Sequence, residues 1–417
     1  MRKALIILLV VLVVIGGVYF FYIRPRVTTG QPVPNILTSF FPKTTSTGNN
    51  FGPDTNPDGS PIDANAGAAA SEPALKQLSP RPIAGYTIYS ITTPVSIPST
   101  DPKIKPIITY ITDHYVRYVS RVNGYVYEIK NKEIPLQVSN IFIPNIYEAM
   151  FADSNNTAIL RFLRNDNNTI ATYSIPVPPL NSDGTRTQVP GIYLSDNIYN
   201  LTVSPDQKSV VRITRDAKGT TVSSSTTTGS SIKKLFTSTF MSWLPQWTTS
   251  GVYLQTKAAS KTDGYVYLLD QSSSRLKRIV GNIKGLTTSV SPSGQYVLYS
   301  ESSDTGFSTK IYNSKTSTIS AISLNILPEK CAWLQNENLI CAGNTSVDPA
   351  VYPDSWYAGI NHFNDNLYQI NTASNTFSTI YTAGIPTYDM INIQVDEAQQ
   401  LVFFIDKNTG LLYSNKY

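Results

Sequence analysis

Residues 288–299 carry the pattern that decides the fold: Thr288-Ser289-Val290, then Ser291-Pro292-Ser293-Gly294, then Tyr296-Val297-Leu298-Tyr299. A short strand is followed by small turn residues and by a second strand rich in β-branched and aromatic side chains, which is typical of a β-hairpin. The same order occurs in residues 201–210 and again in residues 245–254. A hairpin that recurs along the chain predicts a protein built from β-strand repeats.

One apolar position can be matched in each copy of this hairpin. The matched residues are Val116, Ile159, Val210, Val252, Val297, Leu339 and Leu401. Their spacings are 43, 51, 42, 45, 42 and 62 residues. A period just above 40 residues with about four strands per unit predicts an all-β fold, the β-propeller. Seven blades fit the count, and six or eight stay open because the second and third units are the least regular.

The first 26 residues predict a membrane anchor. Ala4 to Ile23 is a run of 20 residues without a charge, and as a helix it would rise about 30 Å, enough to cross a bilayer. Arg24-Pro25-Arg26 follows, which is not a signal-peptide cleavage site. Arg2, Lys3 and the terminal amine outnumber these two arginines, which favours a cytoplasmic N-terminus. We therefore predict a single-pass protein of the cytoplasmic membrane with its remainder outside.

Residues 27–83 predict a disordered tether, and residues 84–417 the propeller domain. The tether is dense in Pro, Thr, Ser, Asn, Gly and Ala, a composition that cannot bury enough apolar surface to offset its ordering entropy. Asp54, Asn56 and Asp58 have the spacing of a calcium loop, but the twelfth position of that loop is Asn65 instead of Glu. They are weak metal candidates, and the sequence predicts no cofactor.

Two of the turn motifs resemble those of a known group. Ser204-Pro205-Asp206-Gln207-Lys208 and residues 245–251 resemble the repeat of TolB-type and WD-repeat-like β-propellers. The resemblance covers residues 84–417 and implies the fold, since proteins with this fold perform many functions. With the anchor, residues 117–118, 125–128 and 352–359 also resemble surface propellers of unknown function in small-genome bacteria. That resemblance implies a location and no chemistry.

The charge pattern argues against a nucleic-acid partner. Only 15% of the residues are charged, and the net charge is +5. Four of the 33 basic residues flank the apolar segment, which leaves 29 basic against 28 acidic residues elsewhere. A nucleic-acid-binding protein concentrates Lys and Arg on one face, and no such cluster occurs here.

Counting strands predicts how the ring closes. The seventh unit has three strands, at residues 390–395, 401–405 and 411–417, whereas a spare strand at residues 85–91 precedes the first full unit. Pairing the spare strand with the edge of the last unit would remove both exposed edges. We therefore predict a ring closed by residues 85–91.

Two cysteines predict a disulfide. Cys331 and Cys341 flank a hairpin turn centred on Asn336, so they lie directly opposite each other on one face. A cross-strand disulfide fits this register and an oxidising exterior, and the alternative is two buried thiols.

The longest insertion, residues 342–365, holds the candidate ligand-binding residues. It joins the second and third strands of the sixth unit, and its loop emerges on the face where propellers usually bind ligands. The candidates are Tyr352, Asp354, Trp356, Tyr357 and His362. Trp and Tyr are preferred anchors of interfaces and glycan sites. The alternative is that Trp356 and Tyr357 fold back as a lid.

Catalysis has little support in the sequence. There are two histidines, and no nucleophile elbow, zinc-protease motif, phosphate-binding loop or cysteine–histidine metal spacing occurs. The sequence favours a binding or scaffold module for an extracytoplasmic protein or a cell-surface glycan. The alternative is a propeller-fold hydrolase or lyase that acts on glycans, which needs converging carboxylates in a pocket.

Overall fold

The computed structural model describes residues 74–97, 107–179, 186–187 and 189–417. These residues form seven four-stranded antiparallel sheets. The first strand of each sheet contacts the first strand of the next sheet or the turn that leads into it. The first and last sheets also contact each other. This arrangement is a seven-bladed β-propeller. We call the end at which each first strand begins the upper face, and the other end the lower face.

The blades follow the order of the chain. Strand β1 (Leu75–Gln77) comes first and belongs to the last blade. Blade 1 contains β2 (Ile83–Ile97), β3 (Ile107–Ser120), β4 (Val126–Lys130) and β5 (Leu136–Gln137). Blade 2 contains β6 (Ile146–Ala152), β7 (Thr157–Leu163), β8 (Ile170–Pro176) and β9 (Ile192–Tyr193). Blade 3 contains β10 (Ile198–Val203), β11 (Ser209–Asp216), β12 (Gly219–Thr226) and β13 (Lys233–Ser238).

The later blades are built in the same way. Blade 4 contains β14 (Trp243–Thr248), β15 (Gly251–Thr256), β16 (Asp263–Asp270) and β17 (Arg275–Lys284). Blade 5 contains β18 (Thr287–Val290), β19 (Tyr296–Ser302), β20 (Phe307–Asn313) and β21 (Thr318–Ile322). Blade 6 begins after a 3-10 helix (Pro328–Lys330) and contains β22 (Cys331–Trp333), β23 (Leu339–Gly343), β24 (Asn366–Asn371) and β25 (Thr376–Tyr381). A short helix, α1 (Asp354–Tyr357), lies between β23 and β24, and blade 7 contains β26 (Met390–Asp396), β27 (Leu401–Asp406), β28 (Leu412–Lys416) and β1.

The predicted repeat is confirmed. All seven matched apolar positions, from Val116 to Leu401, lie on the second strand of a blade, and all are buried. The second strand is covered by a neighbouring blade on each face, so its side chains form most of the core between blades. The second and third blades, although irregular in sequence, are complete four-stranded sheets.

The polar turns of the repeat are held by side-chain caps. The side chain of Asp270, at the end of β16, accepts hydrogen bonds from the N–H groups of Ser272 and Ser273. Asn313 and Asn371 end the third strands of the next two blades. The side-chain oxygen of each accepts hydrogen bonds from the backbone N–H groups two and three residues later in the chain. Such turns satisfy backbone donors locally, which explains why Asp or Asn recurs at this place.

The prediction for residues 85–91 is wrong. These residues lie in β2, which pairs with β3 along its whole length. The last blade takes its fourth strand from β1 instead, since Leu75 lies opposite Asn415 and Gln77 opposite Tyr413. The sequence concealed β1 because three residues in a Pro- and Ser-rich setting give no alternating pattern. Strand β1 therefore lies within residues 27–83, the range predicted as the tether.

The predicted anchor, Ala4–Ile23, and the tether up to residue 73 lie outside the described residues. Within the described ranges, no helix is long and apolar enough to cross a membrane.

Deleting residues 74–80 from the full chain should destabilise the propeller. The deletion removes β1 together with Leu78, which is 8% exposed, and Ser79, whose hydroxyl oxygen accepts the N–H of Leu412 at 2.9 Å. Loss of one buried leucine side chain costs about 2–5 kcal/mol, so we expect the unfolding free energy, measured with urea, to fall by about 3 kcal/mol or more. Deleting residues 50–56, a segment of the same length, should leave the unfolding free energy unchanged. Equal effects of the two deletions would contradict a structural role for β1.

Candidate functional site

The structure separates the five predicted binding residues into buried and exposed ones. They lie in the connection from β23 to β24 on the upper face. Tyr352 and Trp356 are buried, at 2% and 4% exposure, whereas Tyr357 and His362 are exposed and Asp354 is half-buried. The loop therefore turns its largest aromatic side chains into the protein.

Packing explains the burial of Tyr352 and Trp356. Both belong to an apolar cluster with Phe307, Leu327 and Phe363. The ring of Tyr352 lies 5.0 Å from that of Phe307 and 5.5 Å from that of Phe363, measured between centroids. The structure thus folds Trp356 back into the protein, and it leaves Tyr357 at the surface.

A buried charge cluster lies under Trp356. Lys330 Nζ is 2.6 Å from Asp365 Oδ2 and 2.5 Å from Asp389 Oδ1, and all three side chains are at most 1% exposed. The three residues precede β22, β24 and β26, so they join blades 6 and 7 at the upper face. Trp356 Nε1 donates to Asp389 Oδ2 at 2.9 Å. Because buried charges are costly unless they are paired, this network fixes the position of the loop.

The two carboxylates are not equivalent. Burial raises the pKa of Asp365 to about 6; the ammonium of Lys330 lowers it, and the charge of Asp389 raises it again. Asp365 Oδ2 also accepts the N–H of Met390 at 2.7 Å, whereas its Oδ1 has no hydrogen-bond partner among the described residues. Two carboxylates that share one ammonium favour a proton on one of them.

The remaining predicted residues make local contacts. Asp354 Oδ2 accepts hydrogen bonds from the N–H and the hydroxyl of Ser260, at 3.0 and 2.5 Å. The hydroxyl of Tyr357 donates to the carboxylate of Glu329. His362 Nδ1 lies 3.9 Å from Asp389 Oδ2, and the histidine side chain is about half exposed. Asp354 and Tyr357 therefore tie the loop to the rest of the upper face.

Lys407 connects this loop to the central channel. It follows β27, its Nζ donates to the carbonyl of Trp356 at 2.5 Å, and it lies 4.4 Å from the centroid of the Trp356 ring. Burial lowers the pKa of Lys407, which the charge of Asp389 partly offsets. Trp356 thereby positions a cation that also lines a cavity.

That cavity is the upper mouth of the channel, with a volume of about 610 Å³. It is formed where the first strands of blades 1, 2, 3 and 7 begin. Its polar lining comes from Arg121, Tyr147, Glu148, Arg161, Tyr199, Asn200, Asn392 and Lys407. The lining thus contains three cationic side chains and one carboxylate.

Two arginines in the mouth have different roles. Arg161 is 5% exposed, forms an ion pair with Glu148, and donates to the carbonyls of Ile198 and Tyr199 at 2.5 and 2.7 Å. Arg121 is exposed, and its Nη2 donates to the carbonyl of Tyr147 at 3.3 Å. Arg161 is fixed in place, whereas the guanidinium of Arg121 can reach a ligand.

Sequence reasoning missed these mouth residues. Arg121, Arg161 and Lys407 are far apart in the chain and lie in no motif. Only the ring brings the ends of their strands together. A signal could have come from locating the end of each second strand, because Arg121, Arg161 and Lys407 all lie at or near such an end.

The predicted disulfide is confirmed: Cys331 and Cys341 are bonded and lie opposite each other in the β22–β23 ladder. The weak metal candidates Asp54, Asn56 and Asp58 lie outside the described residues. Over the ranges that the structure does describe, no group of three or more His, Cys, Asp or Glu side chains could hold a metal ion.

Replacing Asp365 by Asn should change the pH dependence of stability. The folded protein holds a proton on Asp365 up to a pKa of about 6, above the ordinary 3.8, so its contribution is present below pH 4 and lost as the pH rises through 6. The unfolding free energy of Asp365→Asn relative to the original protein should therefore rise between pH 4 and pH 7, by at most roughly 3 kcal/mol. Asp304→Asn, at an exposed position, serves as the control. A parallel pH dependence of the original protein and Asp365→Asn would contradict the burial effect.

Comparison with known proteins finds structural similarity at low sequence identity. No protein-family model matches the sequence, and no curated protein matches it. The chain is similar to the β-propeller domain of the Trilobed protease from Pyrococcus furiosus, with 9% identity over 82% of this chain and 93% of that one and a TM-score of 0.46. It is similar to the β-propeller domain of Cps50 (Swd1) from Myceliophteria thermophila, with 11% identity over 73% and 93% of the chains and a TM-score of 0.45. It is also similar to TolB from Acinetobacter baumannii, with 10% identity over 70% of this chain and 80% of that one and a TM-score of 0.38.

Proposed function

We propose that this chain is a membrane-anchored, extracytoplasmic propeller that binds an acidic group of a protein or cell-surface glycan at the upper mouth of its channel. The observation that carries the proposal is the lining of the 610 Å³ cavity, with Arg121, Arg161 and Lys407 against Glu148. Because Arg161 and Glu148 neutralise each other, Arg121 and Lys407 supply the net positive charge. Pockets of this size, with a few convergent polar groups, suit small ligands and the ends of polymers.

The neutral lining suits the same ligands. Tyr147 and Tyr199 offer partly exposed aromatic rings at the mouth, and Asn392 offers an amide. The guanidinium of Arg161 lies 5.3 Å from the centroid of the Tyr147 ring, which orients that ring. Aromatic faces beside cationic and amide groups can stack on a sugar ring and bind its carboxylate. An acidic side chain or chain end of a protein would meet the same groups.

The alternative, a glycan-active enzyme, would draw on Asp365 and Asp389. They are adjacent carboxylates, and one has a raised pKa, as acid–base catalysis requires. Both have no exposed surface and lie beneath Trp356, so a substrate could reach them only if the loop moved. In the cavity itself, Glu148 is the single acidic residue, and it is paired with Arg161. These contacts favour the binding module.

The anchor completes the proposal. The uncharged run from Ala4 to Ile23 would hold the protein in the cytoplasmic membrane, with the propeller outside. Residue 74 lies on the lower face, next to the turn in which the Lys132 carbonyl accepts a hydrogen bond from Lys76. We also infer that the pairing of β1 with β28 is what closes the ring.

A charge reversal at Arg121 tests the binding site. The probes are short uronic-acid oligosaccharides and acidic peptides, with neutral sugars and peptides for comparison, measured by calorimetry with the full chain in detergent. Arg121→Glu should weaken binding of an acidic probe at least tenfold, since it replaces an attraction by a repulsion. Lys277→Glu, the same charge change on the exposed part of β17, should alter it less than twofold. Equal loss in both variants, or equal binding of neutral probes, would contradict the proposed site.

The predicted topology can be tested separately. Protease added to intact cells should cleave the chain between residues 27 and 73 and release the propeller, because the proposed anchor places both outside. Protection of the propeller until the cells are lysed would show that the orientation is wrong. This outcome would leave the binding result at Arg121 unaffected.

A further inference from the structure

The first hairpin of the propeller extends beyond its blade. The β2–β3 ladder continues to the pair Ile97–Ile107, whereas β4 pairs with β3 only from Tyr115 to Val119. We call residues 90–97 and 107–114 the arm. At about 3.3 Å per residue, it projects roughly 23 Å from the lower face. The residues that join its two strands, 98–106, lie outside the described ranges and are not counted in the arm.

The arm is apolar on both faces. No charged residue occurs in Ser90–Ile97 or in Ile107–Thr112. Its large exposed side chains are Ile91, Val95, Ile97, Ile108, Tyr110 and Ile111, with exposures from 37% to 70%. A two-stranded ribbon is only marginally stable in water, and an exposed apolar patch of this kind marks an interaction surface.

The outer edge of β3 in the arm has free backbone groups. The N–H of His114 donates to Asn131 Oδ1, and the carbonyl of His114 accepts the N–H of Asn131, at 2.8 Å each. Both backbone groups of His114 therefore point away from β2. Alternation along an antiparallel strand turns the peptide groups of Ile108, Tyr110 and Thr112 toward the same edge. No strand among the described residues pairs with that edge. Unpaired, uncharged edges of this length are templates for another strand.

The other edge of the arm is blocked. Pro94 lies opposite Tyr110 in the ladder, so its nitrogen faces away from β3. Proline carries no N–H group, and an edge that contains it pairs poorly with another strand. The arm is therefore open on the side of β3 alone.

We propose that the β3 edge of the arm pairs with the same edge of a second copy of this chain, antiparallel and about a two-fold axis at Tyr110. Tyr110 then faces Tyr110 of the second copy, Ile108 faces Thr112, and Thr109 faces Ile111. Each hydrogen-bonded pair exchanges two backbone bonds, and the two ribbons become one four-stranded sheet. An isologous contact of this kind joins two copies and no more.

The absence of charge favours a second copy as the partner. Antiparallel self-pairing of a charged strand sets like charges near each other, which Ile107–Thr112 avoids. Every copy also presents the same β3 edge, at the same distance from its lower face. If the chain is anchored as proposed, copies in one membrane are confined near its surface, which raises their effective concentration. That gain rests on the proposed anchor, whereas the pairing itself does not.

Sedimentation of the full chain in detergent tests the pairing. The original protein should dimerise with rising concentration, and Tyr110→Lys should raise the dimer dissociation constant at least tenfold, since two lysines would meet at the axis. Ile360→Lys, at a position that is 74% exposed and remote from the arm, should leave the constant unchanged. A monomer at every concentration, or a dimer that both variants leave intact, would overturn the proposal.

A cysteine pair tests the register. Chains with Thr109→Cys and chains with Ile111→Cys should form a disulfide-linked dimer when mixed, and neither should do so alone, because these positions face each other across the axis. Thr93→Cys mixed with Val95→Cys, on the blocked edge, is the matched control. Cross-linking in the control, or none in the first mixture, would show that the arm serves another partner, such as a lipid surface or a different protein.

Discussion

The contact between the first and last blades is the constraint on which the ring depends. The hydroxyl of Tyr86 on β2 donates to the carbonyl of Asn392 at 2.6 Å, and Gln394 Nε2 donates to the carbonyl of Tyr86 at 2.9 Å. Around these bonds, apolar side chains of blades 1 and 7 form one buried cluster. Each blade is stable only when neighbours cover its two faces, so a gap here would expose two sheets at once.

This constraint explains why the fold was largely predictable from the sequence. Positions such as Val210 and Val297 must be apolar in every blade, which gives the sequence a period of about 40 residues. Cys331 and Cys341 were predictable for a related reason, because a short hairpin fixes its own register. Strand β1 was not predictable, because it contributes backbone bonds from Leu75 to Gln77 and needs no particular side-chain pattern.

The candidate site was less accessible to such reasoning. The sequence located the loop after β23 and the importance of Trp356, yet periodicity says nothing about which way a loop folds. The direction is set by Asp389, which lies outside the loop and binds both Trp356 and Lys330. If the Trp356 indole faced solvent, the buried carboxylate of Asp389 would lose one hydrogen-bond donor. The free-energy cost of that loss exceeds the gain from exposing the ring. The aromatic motif therefore contacts the cavity only through Lys407, whose ammonium it holds at the Trp356 carbonyl and ring.

The two proposed surfaces lie on opposite faces of the ring and differ in chemistry. On the upper face, ion pairs such as Arg161–Glu148 hold charged side chains in place around a cavity, an arrangement that would suit the proposed acidic ligand. On the lower face, the chain enters beside Lys132, and the hairpin of blade 1 extends beyond the ring with no charged residue in 90–97 or 107–112. A cavity of fixed polar groups favours a defined ligand, whereas an uncharged strand edge favours a partner that supplies backbone bonds. Because blade 1 takes part in both faces, through Arg121 above and Tyr110 below, β3 is the element that links the two surfaces.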